Sequence, residues 1–205
     1  MEHLFSALGG LGIHTGVTLR VEGPEVPLLD GGARDFCAAL AHWPRRGTPG
    51  LRVERAGSVE VGASLYQLTP GDAVGLCVHV NFAPLAPQDA HWDGSPESFT
   101  ARIAPARTFG FARDAAELRR VGRATHVDVK SVLLFDDQGC PLGCVPEPDE
   151  LARHKLLDLI GDLYLFGGPP LGTIEAWRPG HAATHHAMSI AMERGLLQRS
   201  YAVQR

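Results

Sequence analysis

The chain has 205 residues, and 19 lysines and arginines against 23 aspartates and glutamates give a formal net charge of −4 at pH 7. This acidic balance, without a basic tract, argues against a nucleic-acid-binding surface. Hydrophobic residues make up 44% of the chain, yet no apolar run approaches the roughly 20 residues of a membrane span, so we expect no integral membrane association.

The first part of the chain, residues 1–46, has a mixed pattern. Residues 2–11 are typical of a short helix that ends in glycines, and residues 17–21 alternate as a strand does. The Asp-Gly-Gly-Ala sequence at 30–33 predicts a turn that leads into a second helix. Proline, arginine and glycine at 44–50 then indicate a domain boundary.

Residues 51–82 contain short apolar runs separated by glycine, proline and aspartate, a pattern that predicts a meandering antiparallel sheet. The runs are 51–53, 59–61, 65–68 and 74–80. Residues 83–98 are rich in proline, aspartate and serine and are interpreted as a surface loop.

Later in the chain, periodicity and capping signals alternate between helix and strand. The predicted helices are 97–103, 114–121, 148–165 and 181–197, and the predicted strands are 131–135 and 172–177. The sequence therefore predicts an α+β fold in two unequal parts, residues 1–46 and 51–205.

The 148–165 helix carries a pair of candidate metal ligands. His154 and Asp158 are four residues apart, so their side chains lie on one face of the helix. A hydrolytic zinc site needs three protein ligands and an open position for water, and this helix supplies two. On spacing alone, such a pair is more often a surface hydrogen bond than a metal site.

Four stretches carry longer motifs, and a Gly-His-Ala sequence at 180–182 follows them. They are 2–13 (EHLFSALGGLGI), 24–31 (PEVPLLDG), 107–111 (RTFGF) and 153–164 (RHKLLDLIGDLY). In this order they resemble motifs of the zinc-dependent UDP-3-O-acyl-N-acetylglucosamine deacetylases (LpxC). The resemblance implies two α/β-sandwich subdomains, of which the first is truncated here, and an amidohydrolase that removes an N-acetyl group from an amino sugar or UDP-amino sugar.

The resemblance also implies which residues hold the metal and act on the substrate. His3, His154 and Asp158 would bind Zn²⁺, and Glu2 would be the general base. The other catalytic residues would be His181, which stabilises the oxyanion and protonates the leaving amine, Asp162, which orients and charges His181, and Thr108, which donates to the oxyanion. The substrate-binding residues would be Lys155, Phe109 and Phe111.

The remaining histidines and the cysteines have less specific patterns. His79, His91 and His185 are among seven histidines interpreted as surface or structural residues. Cys140 and Cys144 are close in the sequence, but the other two cysteines do not form a second closely spaced pair, which argues against a metal knuckle. Four cysteines make no disulfide framework and the chain start resembles no secretory signal, so we expect a cytoplasmic protein.

The sequence departs from the family pattern in two places. It begins at the Glu-His block, so the first domain would expose an unpaired sheet edge, which predicts a homo-oligomer. The family's glycine-rich stretch reads here THVDVKS at 125–131, where Val127, Asp128 and Lys130 would narrow or polarise a passage for an acyl chain. We therefore expect altered acyl-chain specificity. The alternative is a non-catalytic paralogue that binds a sugar nucleotide or protein partner around a structural zinc.

Overall fold

A computed structural model describes residues 1–23, 25–45, 47–113 and 131–199. Its helices are α1 (Glu2–Gly10), α2 (Arg34–Leu40), α3 (Pro96–Ser98, continued by a π-helical turn Phe99–Ile103), α4 (Glu150–Tyr164) and α5 (His181–Glu193). Its strands are β1 (Leu51–Val53), β2 (Gly57–Val61), β3 (Ser64–Thr69), β4 (Val74–Val80), β5 (Gln88–Trp92), β6 (Thr108–Phe111), β7 (Val132–Phe135), β8 (Gly172–Trp177) and β9 (Leu197–Arg199). The helix expected at 114–121 and residues 125–130 lie outside the described residues.

The predicted α+β class is confirmed, and a five-stranded sheet with the order β2-β3-β8-β4-β5 organises it. Strand β8 lies antiparallel to β3 and parallel to β4. The predicted meander is therefore wrong at its centre, because β3 and β4 are not neighbours. Ile174 and Ala176 of β8 are fully buried, as expected for the central strand of a sheet.

Residues 83–98 are not the predicted surface loop, because Gln88–Trp92 form the edge strand β5. Ala90 and Trp92 are buried on its inner face. Nε1 of Trp92 donates a hydrogen bond to the carbonyl of Ser95, at 2.9 Å. Asp89 and His91 occupy the outward positions of this strand, and the prolines and serines that suggested a loop lie on either side of it.

The strand predicted at 17–21 is also wrong, because these residues are irregular. Leu19 and Val21 are 39% and 46% exposed. Residues 17–21 have no neighbouring strand to pair with in the described part of the chain, and an isolated strand is not stable. Likewise, the last helix ends at Glu193, and Leu197–Arg199 pair with β1 instead of extending it.

The other predicted helices and strands that lie in the described ranges are confirmed with small shifts of their ends. One hydrophobic core includes residues from both parts of the chain, such as Leu8, Phe36 and Leu156. The division into domains at 46–51 stays a prediction. None of the helices in the described ranges is long and apolar enough to cross a membrane.

Close packing of α1 against α4 joins the start of the chain to the sheet domain. A Cβ added at Gly161 of α4 would collide with the carbonyl oxygen of Glu2 and lie 3.0 Å from its Cα. At the other end of α1, a Cβ at Gly10 would enter the ring of Phe99. Glycine at position 161 lets the two helix backbones approach closely, which sets the position of the first turn of α1.

Gly161→Ala should lower the free energy of unfolding by about 1–3 kcal/mol, because the added methyl meets backbone atoms that no rotamer change can move. Alanine itself favours a helix by about 1 kcal/mol, so a net loss would show that the steric collision dominates. Urea unfolding followed by circular dichroism measures the change.

Gly71→Ala is the control for this substitution, since its Cβ would meet its nearest neighbour at 3.4 Å, an ordinary contact. It should leave stability nearly unchanged. A Gly161→Ala variant as stable as the wild type would contradict the close packing of α1 and α4.

Candidate metal and catalytic site

The structure brings His3, His154 and Asp158 together, with one ligand atom from each within 4.8 Å of the others. Oδ1 of Asp158 lies 3.6 Å from Nε2 of His154 and 3.8 Å from Nε2 of His3. The two imidazole rings are edge to face, with centroids 5.0 Å apart. Three donor atoms from α1 and α4 therefore converge on one point.

The carboxylate of Asp158 has one satisfied oxygen and one unsatisfied oxygen. Oδ2 accepts a hydrogen bond from Nζ of Lys155 at 2.6 Å. Oδ1 is buried and has no hydrogen-bond partner among the described residues. Leaving such an oxygen unpaired is costly, and a cation beside it would remove the cost. The donor set of two nitrogens and one oxygen fits a metal ion such as zinc.

The protonation states of these ligands suit metal binding. Nδ1 of His154 faces the carbonyl oxygen of Ala106 at 3.0 Å, so Nδ1 carries the proton and Nε2 keeps its lone pair toward Asp158. Burial lowers the pKa of His154. Burial and the neighbouring His154 also lower the pKa of His3, to about 4. Both imidazoles are therefore neutral at pH 7, as metal ligands must be.

Two carboxylates at the site are ionised for different reasons. Burial raises the pKa of Asp158, but His154 and Lys155 outweigh it and hold that pKa below its ordinary value. Burial also raises the pKa of Glu2, whereas a backbone hydrogen bond lowers it, and the resulting pKa lies below the ordinary value. Oε1 of Glu2 lies 3.8 Å from Nε2 of His3, which places an ionised carboxylate beside the ligand group.

His181, the first residue of α5, lies at the same site, next to Asp158 and Asp162 of α4. Its Nδ1 is 3.0 and 3.1 Å from the two oxygens of Asp162, and its Nε2 is 4.0 Å from Oδ2 of Asp158. The hydrogen bond to Asp162 raises the pKa of His181, although burial lowers it. The ring therefore favours the imidazolium form.

Asp162 has a second imidazole partner that the sequence analysis missed. Nε2 of His185 lies 3.2 Å from Oδ1 of Asp162, and the His185 ring contacts Phe166 edge to face. The sequence pattern alone predicts a surface or structural role for His185. The signal that could have found it is its four-residue spacing from His181 on one helix.

Strand β6 begins beside the candidate metal ligands. The backbone N–H of Thr108 donates to the carbonyl of Gly31 at 2.7 Å, and Thr108 lies two residues after Ala106, the hydrogen-bond partner of His154. A Cβ at Gly31 would collide with the backbone of Ser131, so the close approach of Gly31 to Ser131 requires glycine. The segment that carries Thr108 is thus held by Gly31 on one side and by His154, through Ala106, on the other.

The aromatic residues of β6 lie in two different places. The ring centroid of Phe109 is 6.0 Å from that of His154, and Nζ of Lys155 is 5.7 Å from the Phe109 centroid. Phe111 belongs to a smaller core, where its ring centroid is 6.2 Å from that of Phe135. The structure thus places Phe109 and Lys155 at the site and Phe111 among core residues.

A partly buried ion pair, in which Glu150 is the buried partner, connects the start of β6 to the start of α4. Nε of Arg107 donates to Oε1 of Glu150 at 2.8 Å and Nη2 donates to Oε2 at 3.1 Å. The backbone N–H of Arg107 also donates to Oε1. Burial raises the pKa of Glu150, but the hydrogen bonds from Arg107 and from the backbone lower it below its ordinary value. This carboxylate holds Ala106 and Thr108 in register with α4.

Glu150→Gln should lower the free energy of unfolding by about 1–3 kcal/mol at pH 7, because it weakens the charge-assisted hydrogen bonds from Arg107 to a buried carboxylate. The folded pKa of Glu150 lies below the unfolded value of about 4.3. Its stabilisation is therefore full above pH 4.3 and is lost as the pH falls through the folded pKa. Urea unfolding at pH 7, 5 and 3 should show the difference between wild type and variant shrinking in acid.

Glu60→Gln, at an exposed position of β2, is the control and should change stability by less than about 0.5 kcal/mol. A stability difference for Glu150→Gln that stays constant from pH 7 to pH 3 would contradict the role of the ionised carboxylate.

Comparison with known proteins gives consistent matches over nearly the whole chain. The family model described as UDP-3-O-acyl N-acetylglycosamine deacetylase (LpxC) matches residues 1–192. Curated proteins named UDP-3-O-acyl-N-acetylglucosamine deacetylase are similar to it. The Myxococcus xanthus protein is 35% identical, over 90% of this chain and 61% of its own length. The protein of Shewanella sp. strain W3-18-1 is 36% identical, over 89% and 62%.

A third relative, from Solibacter usitatus, is 35% identical over 95% of this chain and 67% of its own length. The chain therefore spans about three fifths of the length of the first two relatives and two thirds of the third. The matched residues include every candidate site residue described above.

Proposed function

The chain belongs to the UDP-3-O-acyl-N-acetylglucosamine deacetylase family, and from this premise we propose that it is a zinc-dependent hydrolase that removes an N-acetyl group from a UDP-linked amino sugar. The observation that carries the proposal is the buried, unpartnered Oδ1 of Asp158, which faces Nε2 of His3 and of His154. The names of the relatives supply the reaction, and the geometry supplies a site that suits it.

His3, His154 and Asp158 would hold the zinc ion, which leaves a further coordination position for water or substrate. When bound, zinc polarises an amide carbonyl and makes a nearby water more acidic. The neutral imidazoles and the ionised carboxylate are already in the protonation states that ligation requires.

Glu2 and His181 would move the protons of the reaction. The ionised Glu2 takes a proton from the attacking water as the new C–O bond forms. His181, held as imidazolium by Asp162, donates the proton on Nε2 to the amine nitrogen as the C–N bond breaks. The products are acetate and the free amino sugar.

Three further residues would position the substrate. The hydroxyl of Thr108 donates to the oxygen that gains negative charge, from a strand fixed by Gly31 and by the Arg107 ion pair. Phe109 supplies an apolar surface next to His154. Lys155 keeps its ammonium between the Asp158 carboxylate and the Phe109 ring, where a substrate phosphate or hydroxyl could approach it.

The alternative function is a non-catalytic paralogue with a structural zinc. Such a protein needs the three ligands, but it needs neither an ionised Glu2 beside them nor a charged His181. The hydrogen bonds from His181 to Asp162 therefore favour the enzyme. The altered acyl-chain specificity, the cytoplasmic location and the homo-oligomer stay predictions, and the residues on which the acyl prediction depends, 125–130, lie outside the described ranges.

The purified protein supplied with zinc should release acetate from an N-acetylated UDP-glucosamine, and a chelator should abolish this release until zinc is restored. Glu2→Gln should lower kcat by about 10²–10⁴-fold, since it removes the general base. Release of acetate from acylated and unacylated substrates, measured side by side, also tests the acyl-chain prediction.

Glu60→Gln, which changes an exposed glutamate far from the ligands in sequence, is the control and should keep full activity. Acetate release that persists after chelation and in Glu2→Gln would refute the mechanism. A zinc-loaded protein that releases no acetate from any N-acetylated UDP-sugar would favour the paralogue.

Asp162→Asn should move the alkaline limb of the kcat profile to lower pH. Asp162 raises the pKa of His181, so its loss lowers that pKa toward the ordinary value of about 6.5. Because the protonated ring is the active form, activity is lost as the pH rises through this pKa. Rates measured from pH 5.5 to 9 check the direction, with the exposed Asp72→Asn as control. An alkaline limb that stays in place would show that Asp162 does not control the charge of His181.

A further inference from the structure

A second cluster of metal-ligating side chains lies on the outer face of the five-stranded sheet. Cys77 and His79 are two residues apart on β4, so they share one face. Glu175 of β8 is the register partner of Cys77 on one side. On the other side, His91 of β5 is the cross-strand partner of Cys77. The side chains come from three adjacent strands.

The distances in this cluster suit a tetrahedral ion. Ligand atoms of Cys77, His79 and Glu175 all lie within 4.8 Å of one another. Sγ of Cys77 is 3.6 Å from Nε2 of His79. A zinc ion with Zn–S of about 2.3 Å and Zn–N of about 2.0–2.1 Å at a tetrahedral angle separates its sulfur and nitrogen ligands by about 3.6 Å. Oε1 of Glu175 is 2.8 Å from the same Nε2, a direct hydrogen bond that an ion between the two atoms would replace.

The imidazole of His79 is held in the orientation that ligation requires. Its Nδ1 lies 2.6 Å from Oδ1 of Asp89, the cross-strand partner of His79. A carboxylate on Nδ1 is the usual support of a histidine that binds metal through Nε2. The ring also stacks on Trp177, with centroids 4.7 Å apart and planes at 18°. Nε2 therefore points at Cys77 and Glu175.

The sheet separates this cluster from the proposed catalytic centre. Leu76 and Val78 of β4 are buried in the core that includes Leu156 of α4, whereas Cys77 and His79 alternate with them on the opposite face. Two carboxylates, Asp89 and Glu175, lie against one imidazole and one thiol. The local charge thus favours a cation.

We propose that Cys77, His79 and Glu175 form a second metal site for a thiophilic divalent transition-metal ion such as Zn²⁺. The ion would link β8 and β4, and Asp89 of the edge strand β5 would support His79. This proposal does not depend on the deacetylase activity.

Cobalt(II) bound to the full chain tests the site, because a cysteine thiolate ligand gives a near-ultraviolet charge-transfer band and the catalytic ligands include no sulfur. The metal-free protein should bind two equivalents of cobalt and show the band. Cys77→Ser should bind one equivalent, lose the band and keep its acetate release. Cys140→Ser, at an exposed cysteine, is the matched control and should keep the band and both equivalents.

His79→Gln provides a second variant if Cys77→Ser does not fold, and it should likewise bind one equivalent of cobalt without the band. Asp158→Asn should lose the other equivalent and keep the band, which separates the two sites. One equivalent and no band in the wild type would overturn the proposal and show that the cluster is an ion-pair network only. A band that survives in Cys77→Ser or His79→Gln would overturn it as well.

Discussion

The backbone contact between Glu2 and Gly161 is the constraint on which the proposed catalytic arrangement depends. It joins the first turn of α1 to α4, and these two helices carry all three candidate ligands and the candidate base. His3 lies about 150 residues before His154 and Asp158 in the sequence, so a tertiary contact, and not local structure, brings it to them. Because the core around them is close-packed, the helices have one arrangement in which His3 reaches Asp158.

The site gives its histidines opposite protonation states through their surroundings. His3 is buried beside another imidazole, which favours the neutral ring, whereas His181 is half exposed and hydrogen-bonded to a carboxylate, which favours the charged ring. Histidine can thus be the residue type of both a candidate metal ligand and a candidate proton donor within one site. Asp162, through its hydrogen bond with His181, accounts for the charged member of this pair.

The sequence predicted the parts of the molecule that local patterns control. Helix α4 has an apolar face and clear ends, and β8 has regular alternation, so both were found. Strand β5 was missed because prolines and aspartates around it hide the alternation of Ala90 and Trp92. At the site, spacing found only His154 and Asp158; His3 came from the family resemblance, because its approach is a tertiary contact. The pairing of His185 with Asp162 depends on how α5 packs on α4, which no local pattern shows.

The central position of β8 also has a consequence for the order of folding. Its neighbours β3 and β4 are adjacent in the sequence, yet the sheet joins them only through a strand that follows about 90 residues later. Pairings of such long sequence separation slow folding, because the intervening chain must first be closed into a loop. During synthesis the hairpins β2-β3 and β4-β5 emerge first and have no common neighbouring strand. Helix α4 then leaves the ribosome before β8, the strand that pairs with both hairpins. The ligand-bearing helix is therefore present when the sheet closes and can pack onto it in the same step.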